Sequence, residues 1–194
     1  IRSLIPVVTP VDFHTEEDTL SRLARYLDLD HLIPSGVNIP GVLLAQVFLS
    51  LKPMTLTIQK YLDIADNLAA SANDVELAGK FMAMEQWIDE TPDQPGLFFK
   101  EFVSLLYQKN ALCKGELRLG DHIIDLEQID VPVLNIYALN DHLVPPEASR
   151  LLSTLIPSRH YQSLEVPTGH IGIFVSQKSL SHVPKAIAGF IRQV

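Results

Sequence analysis

Two rhythms of hydrophobic and polar positions run along this chain, and the switch between them divides it in three. The opening carries a short apolar run, Leu4-Ile5-Pro6-Val7-Val8-Thr9, that reads as a strand handing Thr9-Pro10-Val11-Asp12 to a loop. From residue 15 to about residue 114 strand signals are sparse and apolar residues recur at helical spacing. Thr15 with Asp18 three residues on resembles a capping box, and Leu20, Leu23, Ala24 and Leu27 mark the face of the helix it would start. Pro34, Gly36, Pro40 and Gly41 punctuate a loop, after which helices are predicted over residues 42–51, 56–70, 74–88 and 96–110. Lys52-Pro53 stops the first of these, and Phe98, Phe102, Leu105 and Leu106 stripe the last.

Sheet character returns after Gly115. Glu116-Leu117-Arg118-Leu119 and His122-Ile123-Ile124-Asp125-Leu126 flank Gly120-Asp121 as a hairpin. Val133-Leu134-Asn135-Ile136-Tyr137-Ala138 is apolar enough for a strand buried on both faces, and a second strand is predicted over residues 160–166. A helix over 146–155 lies between them, and an amphipathic helix over 183–194 closes the chain. Strand, helical insertion, strand, helix, strand, helix is the order of the back half of a doubly wound α/β sheet. Residues 1–14 then form a core strand and loop, 15–114 a mostly helical cap or lid laid over the strands' carboxyl ends, and 115–194 the C-terminal part of the core. A chain that opens on Ile1-Arg2-Ser3-Leu4, inside a strand, reads as a piece of a longer protein.

Composition narrows the field. The 194 residues suit one domain or a little more, and 47% hydrophobic content suffices for a sizeable core. A formal charge of −8 with no clustered Lys or Arg argues against a nucleic-acid partner. A single cysteine, Cys113, excludes an intrachain disulfide framework and fits a reducing cytoplasm. No signal or transit segment is visible. The longest apolar run, residues 41–51, is 11 residues long, whereas a membrane span needs about 20.

The candidate chemistry lies where the two long strands end. Asn140-Asp141-His142 follows one strand, and Pro167-Thr168-Gly169-His170 follows the other, with Asp141 and His170 29 residues apart. In a doubly wound sheet, neighbouring carboxyl ends converge on one crevice. There a carboxylate holds an imidazole in one tautomer, while the second ring nitrogen exchanges protons near neutral pH. This is the acid–base half of a nucleophile–Asp–His triad in the chain order of α/β-hydrolases. The plainer alternative is that Asp141 caps the following helix and His170 sits in a glycine-rich turn.

A nucleophile belongs upstream, on a strand–turn–helix elbow. Cys113, with Ala111 and Gly115 at ±2, is the nearest match, but a helix precedes it and a hairpin strand follows, the reverse of an elbow. The nucleophile is therefore expected before Ile1. His14, His31, His122, His160 and His182 lack ligand spacing, so no metal is expected. His142 and Asp12 could line a pocket or serve turns. Trp87 and Phe81 are read as core of the insertion or an interface rather than a substrate stacking site, and the Val42–Leu51 run as packing inside the insertion, with a greasy partner as the alternative.

Several stretches are similar to the poly(3-hydroxyalkanoate) synthases: Thr9-Pro10-Val11-Asp12-Phe13, Met84-Glu85-Gln86-Trp87-Ile88 with Thr91-Pro92-Asp93-Gln94-Pro95-Gly96, Asp141-His142-Leu143-Val144-Pro145-Pro146, and Gly169-His170-Ile171-Gly172. The catalytic subunit of the two-subunit (class III) type is the nearest in character. The resemblance implies the C-terminal half of an α/β-hydrolase fold with a cap, and a Cys–Asp–His triad in which Asp141 and His170 are acid and base and the cysteine lies upstream. It implies polymerisation of 3-hydroxyacyl-CoA with release of coenzyme A, no cofactor (the CoA thioester being substrate), and work at the surface of a cytoplasmic polyhydroxyalkanoate granule. The growing polyester, a second synthase subunit and further copies of the chain would be partners. A non-catalytic cap and half-sheet that binds a partner subunit, or an ordinary esterase or thioesterase of the same fold, are the alternatives.

Overall fold

The computed structural model describes residues 1–16, 19–34, 36–51, 58–70 and 75–194. Asp18 of the predicted capping pair and the stop at Lys52-Pro53 lie outside that set. In chain order the elements are helices α1 (Thr19–Ala24) and α2 (Leu29–Leu32), strand β1 (Asn38–Ile39), helices α3 (Gly41–Ser50), α4 (Lys60–Ala70) and α5 (Val75–Asp89), strand β2 (Gln94–Pro95) and helix α6 (Gly96–Phe102). A π-helical stretch, Val103–Gln108, continues α6. Then come β3 (Arg118–Leu119), β4 (His122–Ile123), β5 (Val133–Ala138), α7 (Pro146–Arg150), α8 (Leu152–Leu155), β6 (Tyr161–Val166), α9 (Gly172–Val175) and α10 (Gln177–Ile191). Two units emerge: Ile1–Leu27 with Phe102–Val194, and Asp28–Glu101. The second is narrower than the 15–114 insertion expected from helical rhythm.

The first unit is built on β5, which pairs in parallel with β6 from Val133↔Tyr161 to Ala138↔Val166. On its other side runs the amino-terminal segment, bridged in parallel at Leu4↔Val133 and Val7↔Ile136. This segment forms no continuous ladder, and Pro6 is the reason. The Pro6 carbonyl accepts from the Ile136 N–H at 2.9 Å, but proline has no N–H to return to Leu134. Just beyond, Val8 takes φ +45°, rare for a β-branched residue. That turn puts Val7 and Val8 on the same face of the sheet.

Both faces of β5 are covered, which is why its sequence shows no alternation. Leu134, Ile136 and Ala138 pack with Val166, Ile173 and Phe190 under α9 and α10. Val133 packs with Leu152 and Ile156 of the α7–α8 side. On that side Asn135, fully buried, donates to the Ser149 carbonyl (2.8 Å) and the Tyr161 hydroxyl (3.0 Å). The predicted 146–155 helix is interrupted at Leu151 between α7 and α8. The last helix starts six residues earlier than predicted, at Gln177 instead of 183. Ser176 caps it by accepting from the Ser179 N–H, and Pro184 lies inside it. The β3–β4 hairpin turns at Gly120-Asp121 with Gly120 at φ +60°.

The Asp28–Glu101 unit is held differently. β1 and β2 pair antiparallel, Asn38↔Pro95 and Ile39↔Gln94. A Cβ on Gly41 would lie 1.8 Å from the Thr91 carbonyl oxygen, so no larger residue fits where the two segments meet. The Gly41 N–H donates to Asp93 Oδ1 at 2.8 Å, satisfying a donor at the start of α3. Lys60 of α4 contacts both carboxylate oxygens of Glu85 on α5 (2.8 and 2.6 Å), and the Tyr61 hydroxyl donates to the same carboxylate at 2.7 Å. The Tyr61 ring meets Phe81 edge-on at 5.6 Å. Among the described residues α4 and α5 bury no side chain, and Gly41 is the one buried residue of α3.

Candidate active site

The pairing of β5 and β6 continues beyond both strands and carries their loops out together. Leu139 N–H donates to the Val166 carbonyl at 2.9 Å, and Asn140 N–H to the Thr168 carbonyl at 3.0 Å. The next residue on one loop is Asp141, and two residues beyond Thr168 on the other is His170. Their side chains meet, with His170 Nδ1 2.8 Å from Asp141 Oδ2. The carboxylate is fully shielded from solvent, whereas the imidazole is 28% exposed.

The Asp141 loop folds back onto its own carboxylate. Oδ1 accepts from the Leu143 and Val144 N–H groups, both at 2.9 Å, an Asx-type turn. The chain then enters α7 through Pro145 and Pro146, with proline filling the first helical position. Helix α7 is itself anchored. The Ala148 carbonyl accepts from Val11 and Asp12 N–H groups (2.9 and 3.2 Å), and Ser149 Oγ donates to the Thr9 carbonyl at 2.9 Å. The loop that presents Asp141 thus leads into a helix tied to the neighbouring strand's loop.

Three donors hold the carboxylate, two on Oδ1 and one on Oδ2, and fix its direction. A carboxylate beside Nδ1 selects the tautomer with its proton on Nδ1 and leaves Nε2 with a lone pair. Nε2 has no hydrogen-bond partner among the described residues, so it is the ring atom positioned to exchange a proton with a substrate or nucleophile.

The other candidates occupy structural positions. Asp12 Oδ1 accepts from His14 N–H (2.9 Å) and Asn110 Nδ2 (2.7 Å), pinning the loop after the amino-terminal segment to the end of the π-helical stretch, where Asn110 has φ +53°. Burial pushes the Cys113 thiol above its ordinary range, and the Asp12 charge pushes it further, the opposite of what activates a thiol. His142 is partly buried beside Asp141. His14 bonds the Tyr107 carbonyl, His31 lies against Asp28, and His182 against the Lys178 carbonyl. Among the described residues no three His, Cys, Asp or Glu side chains gather as metal ligands, and no helix is long and apolar enough to cross a membrane.

Sequence reasoning missed what holds the pair: the Leu143 and Val144 N–H groups and the tie of α7 to the loop after the amino-terminal segment. Asp141 followed by a proline pair was a usable signal for an Asx turn. Backbone donors otherwise leave no mark on residue type.

A profile of the alpha/beta hydrolase fold family matches residues 13–177. The poly(3-hydroxyalkanoate) polymerase subunit PhaC of Thiocystis violacea is 45% identical over 193 residues, covering 100% of this chain and 53% of the relative. The subunit of the same name from Synechocystis is 38% identical over 200 residues, covering 100% and 52%. The chain therefore spans about half the length of the curated relatives it matches, and the resemblance read from its motifs extends along all of it. Among solved structures, a putative non-heme bromoperoxidase BpoC of Mycobacterium tuberculosis aligns with TM-score 0.51 and 19% identity over 100% of this chain and 58% of that one. A monoacylglycerol lipase of Paleococcus ferrophilus aligns with TM-score 0.51 and 13% identity over 100% and 60%. Identities this low speak for the fold alone.

Proposed function

Because the chain belongs to the α/β-hydrolase fold family, we propose that it carries the acid–base half of a poly(3-hydroxyalkanoate) polymerase. Asp141 and His170 serve a cysteine nucleophile that lies outside this sequence. The observation that carries the reading is the 2.8 Å contact between a buried Asp141 carboxylate and His170 Nδ1 at adjoining carboxyl ends of parallel strands. Relatives named as polymerase subunits supply the substrate class.

In this reading His170 Nε2 takes the thiol proton as sulfur attacks the thioester carbonyl of a 3-hydroxyacyl-CoA. The tetrahedral adduct collapses with cleavage of the bond to coenzyme A, whose thiolate takes the proton back from the imidazolium. His170 then removes the proton from the 3-hydroxyl of the acceptor, which attacks the acyl-enzyme to form the ester and release the cysteine. Asp141 holds the ring in one tautomer and balances the charge that forms on it. The product is a polyester, which makes the granule surface the place of work and a second subunit a candidate partner.

The test uses the enzyme that contains this chain, supplied with 3-hydroxybutyryl-CoA. Asp141→Asn should lower coenzyme A release by about 10⁴-fold and His170→Gln by about 10⁴–10⁶-fold, as loss of a triad acid or base does, with an unchanged circular dichroism spectrum. Wild-type rates from either variant would remove that residue from the mechanism. Release of free 3-hydroxybutyrate without polymer would turn the reading toward hydrolysis.

A further inference from the structure

His170 sits on an arch whose two feet are Thr168 and Gly172. The feet touch: a Cβ on Gly172 would lie 2.0 Å from Thr168 Oγ1, so any larger residue would have to push the Thr168 hydroxyl aside. The first foot is fastened toward Asp141, since the Thr168 carbonyl accepts from the Asn140 N–H at 3.0 Å and the Thr168 N–H donates to the Val166 carbonyl at 2.8 Å. The second foot is fastened to a different element. The Gly172 carbonyl accepts from Ser179 Oγ at 3.0 Å and from the Ser176 N–H at 2.9 Å.

Ser179 is buried in the first turn of α10. Its hydroxyl also accepts from Ser176 Oγ at 2.9 Å, which points its own proton at the Gly172 carbonyl. Helix α10 is a rigid anchor for such a bond, because Phe190, with Val183 and Ile187, fixes it to the sheet face that β5 also presents. The arch is thus referenced to β5 twice, once through the Asp141 loop and once through α10. Asp141 fixes which nitrogen of His170 bears the proton. It leaves open a swing of the ring about the shared hydrogen bond, and an arch whose Gly172 end is held by the Ser176 N–H alone would permit more of that swing.

We propose that Ser179 is a positioning residue for His170. Its buried hydroxyl, oriented by Ser176, holds the Gly172 end of the arch so that Nε2 points steadily at the reacting atoms. As it concerns the proton transfers of the polymerase, the proposal rests on the functional reading above. The geometric part, that the hydroxyl steadies the imidazole, is separable from it.

The experiment uses the enzyme that contains this chain, labelled with nitrogen-15 histidine. Ser179→Ala should lower kcat for 3-hydroxybutyryl-CoA about 10–100-fold, the scale of a loosened supporting contact, with KM changed less than about twofold. The proton on His170 Nδ1, identified by its loss in His170→Gln, should exchange faster with water and broaden. Ser179→Thr, which keeps the hydroxyl, should recover most of both, and Ser181→Ala, which removes a hydroxyl bonded only on the helix surface, should change neither. An unchanged kcat with an unchanged Nδ1 proton overturns the proposal, as does a fall in kcat that leaves that proton as sharp as in the parent. If Ser179→Ala does not fold, Ser176→Ala withdraws the orienting hydroxyl and is judged by the same two readings. If the unaltered enzyme makes no polymer, the functional reading fails while the Nδ1 proton still decides the role of Ser179.

Discussion

The two units solve the same problem by opposite means. In the Ile1–Leu27 and Phe102–Val194 unit a strand is sealed between two helical layers, with Val133, Ile136 and Ala138 fully buried. In Asp28–Glu101 the helices meet through a lysine–glutamate–tyrosine contact and a glycine–backbone approach, and Leu43, Leu62, Met82 and Trp87 are each more than half exposed. Dense packing leaves side chains few alternatives, and the Asp141–His170 pair stands on the dense unit. A pair with the proposed acid–base role needs its supports fixed to a fraction of an ångström. Amphipathic helices joined by a few polar contacts would not provide that.

The sharpest way to break this comparison is to cut equal side chains from both units. Ile136→Ala should destabilise the first unit by about 2–5 kcal/mol, the cost of losing buried methyl groups and leaving a cavity. Leu62→Ala, at a position 54% exposed on α4, should cost no more than about 0.5 kcal/mol. Urea unfolding midpoints with an unchanged denaturant slope give the comparison directly. Equal losses would mean that the apolar side chains of the helical unit are as engaged as those of β5.

How much of this could be read from residues alone follows the same division. β5 was legible because burial on both faces makes six consecutive apolar or neutral residues; Asp141 was legible because it follows that strand, and His170 because it follows the Pro167-Thr168-Gly169 break after a second strand. The helical unit's limits were not. Residues 15–27 and 103–114 share the rhythm of the insertion, yet Gln108 Nε2 donates to the Ala24 and Leu27 carbonyls (3.1 and 2.9 Å) within the sheet unit. Periodicity reports that a helix has an apolar face and is silent on what covers it. β1 and β2 escaped notice because two-residue strands have no period, and Pro95 argues against a strand. The start of α10 was hidden by Pro184, since proline is commonest in a helix's first turn. Ser179 was invisible for a related reason: its partner is a carbonyl seven residues away, across a helix cap.

A smaller effect probes what replaces packing in the helical unit. Glu85 answers the Lys60 ammonium with both oxygens, and the two side chains are only 23% (Lys60) and 15% (Glu85) exposed. Glu85→Gln leaves that ammonium without its counter-charge. Partial hydration limits the cost to about 1–2 kcal/mol, below the value for a fully buried pair. Salt should have little influence on the difference, because a mostly shielded pair is screened less than a surface one. A midpoint unchanged within error in urea would show that α4 and α5 do not depend on this contact.

The smallest effect is read at high pH, where the units differ in why their tyrosines resist ionisation. Burial is the largest cause for Tyr161 and Tyr137, with the Asn135 amide drawing Tyr161 back and Arg150 and Glu165 pulling Tyr137 in opposite directions. For Tyr61 the largest cause is its hydrogen bond to Glu85. All three shifts are upward from the ordinary value of 10.0. The unfolded chain therefore loses these protons first as pH rises past 10, and the folded state binds more of them in the interval that follows. Unfolding free energy is then flat with respect to these groups below about pH 10 and falls above it, through the folded-state values. Ultraviolet titration of tyrosinate separates the causes. Glu85→Gln should move one tyrosine back toward its ordinary range and leave the two on β5 and β6 where they were, whereas Tyr161→Phe should remove one late-titrating group and lessen the alkaline slope of stability. If Glu85→Gln moved none, the carboxylate would not be what holds the Tyr61 proton, and the two units would resist alkali by the same means.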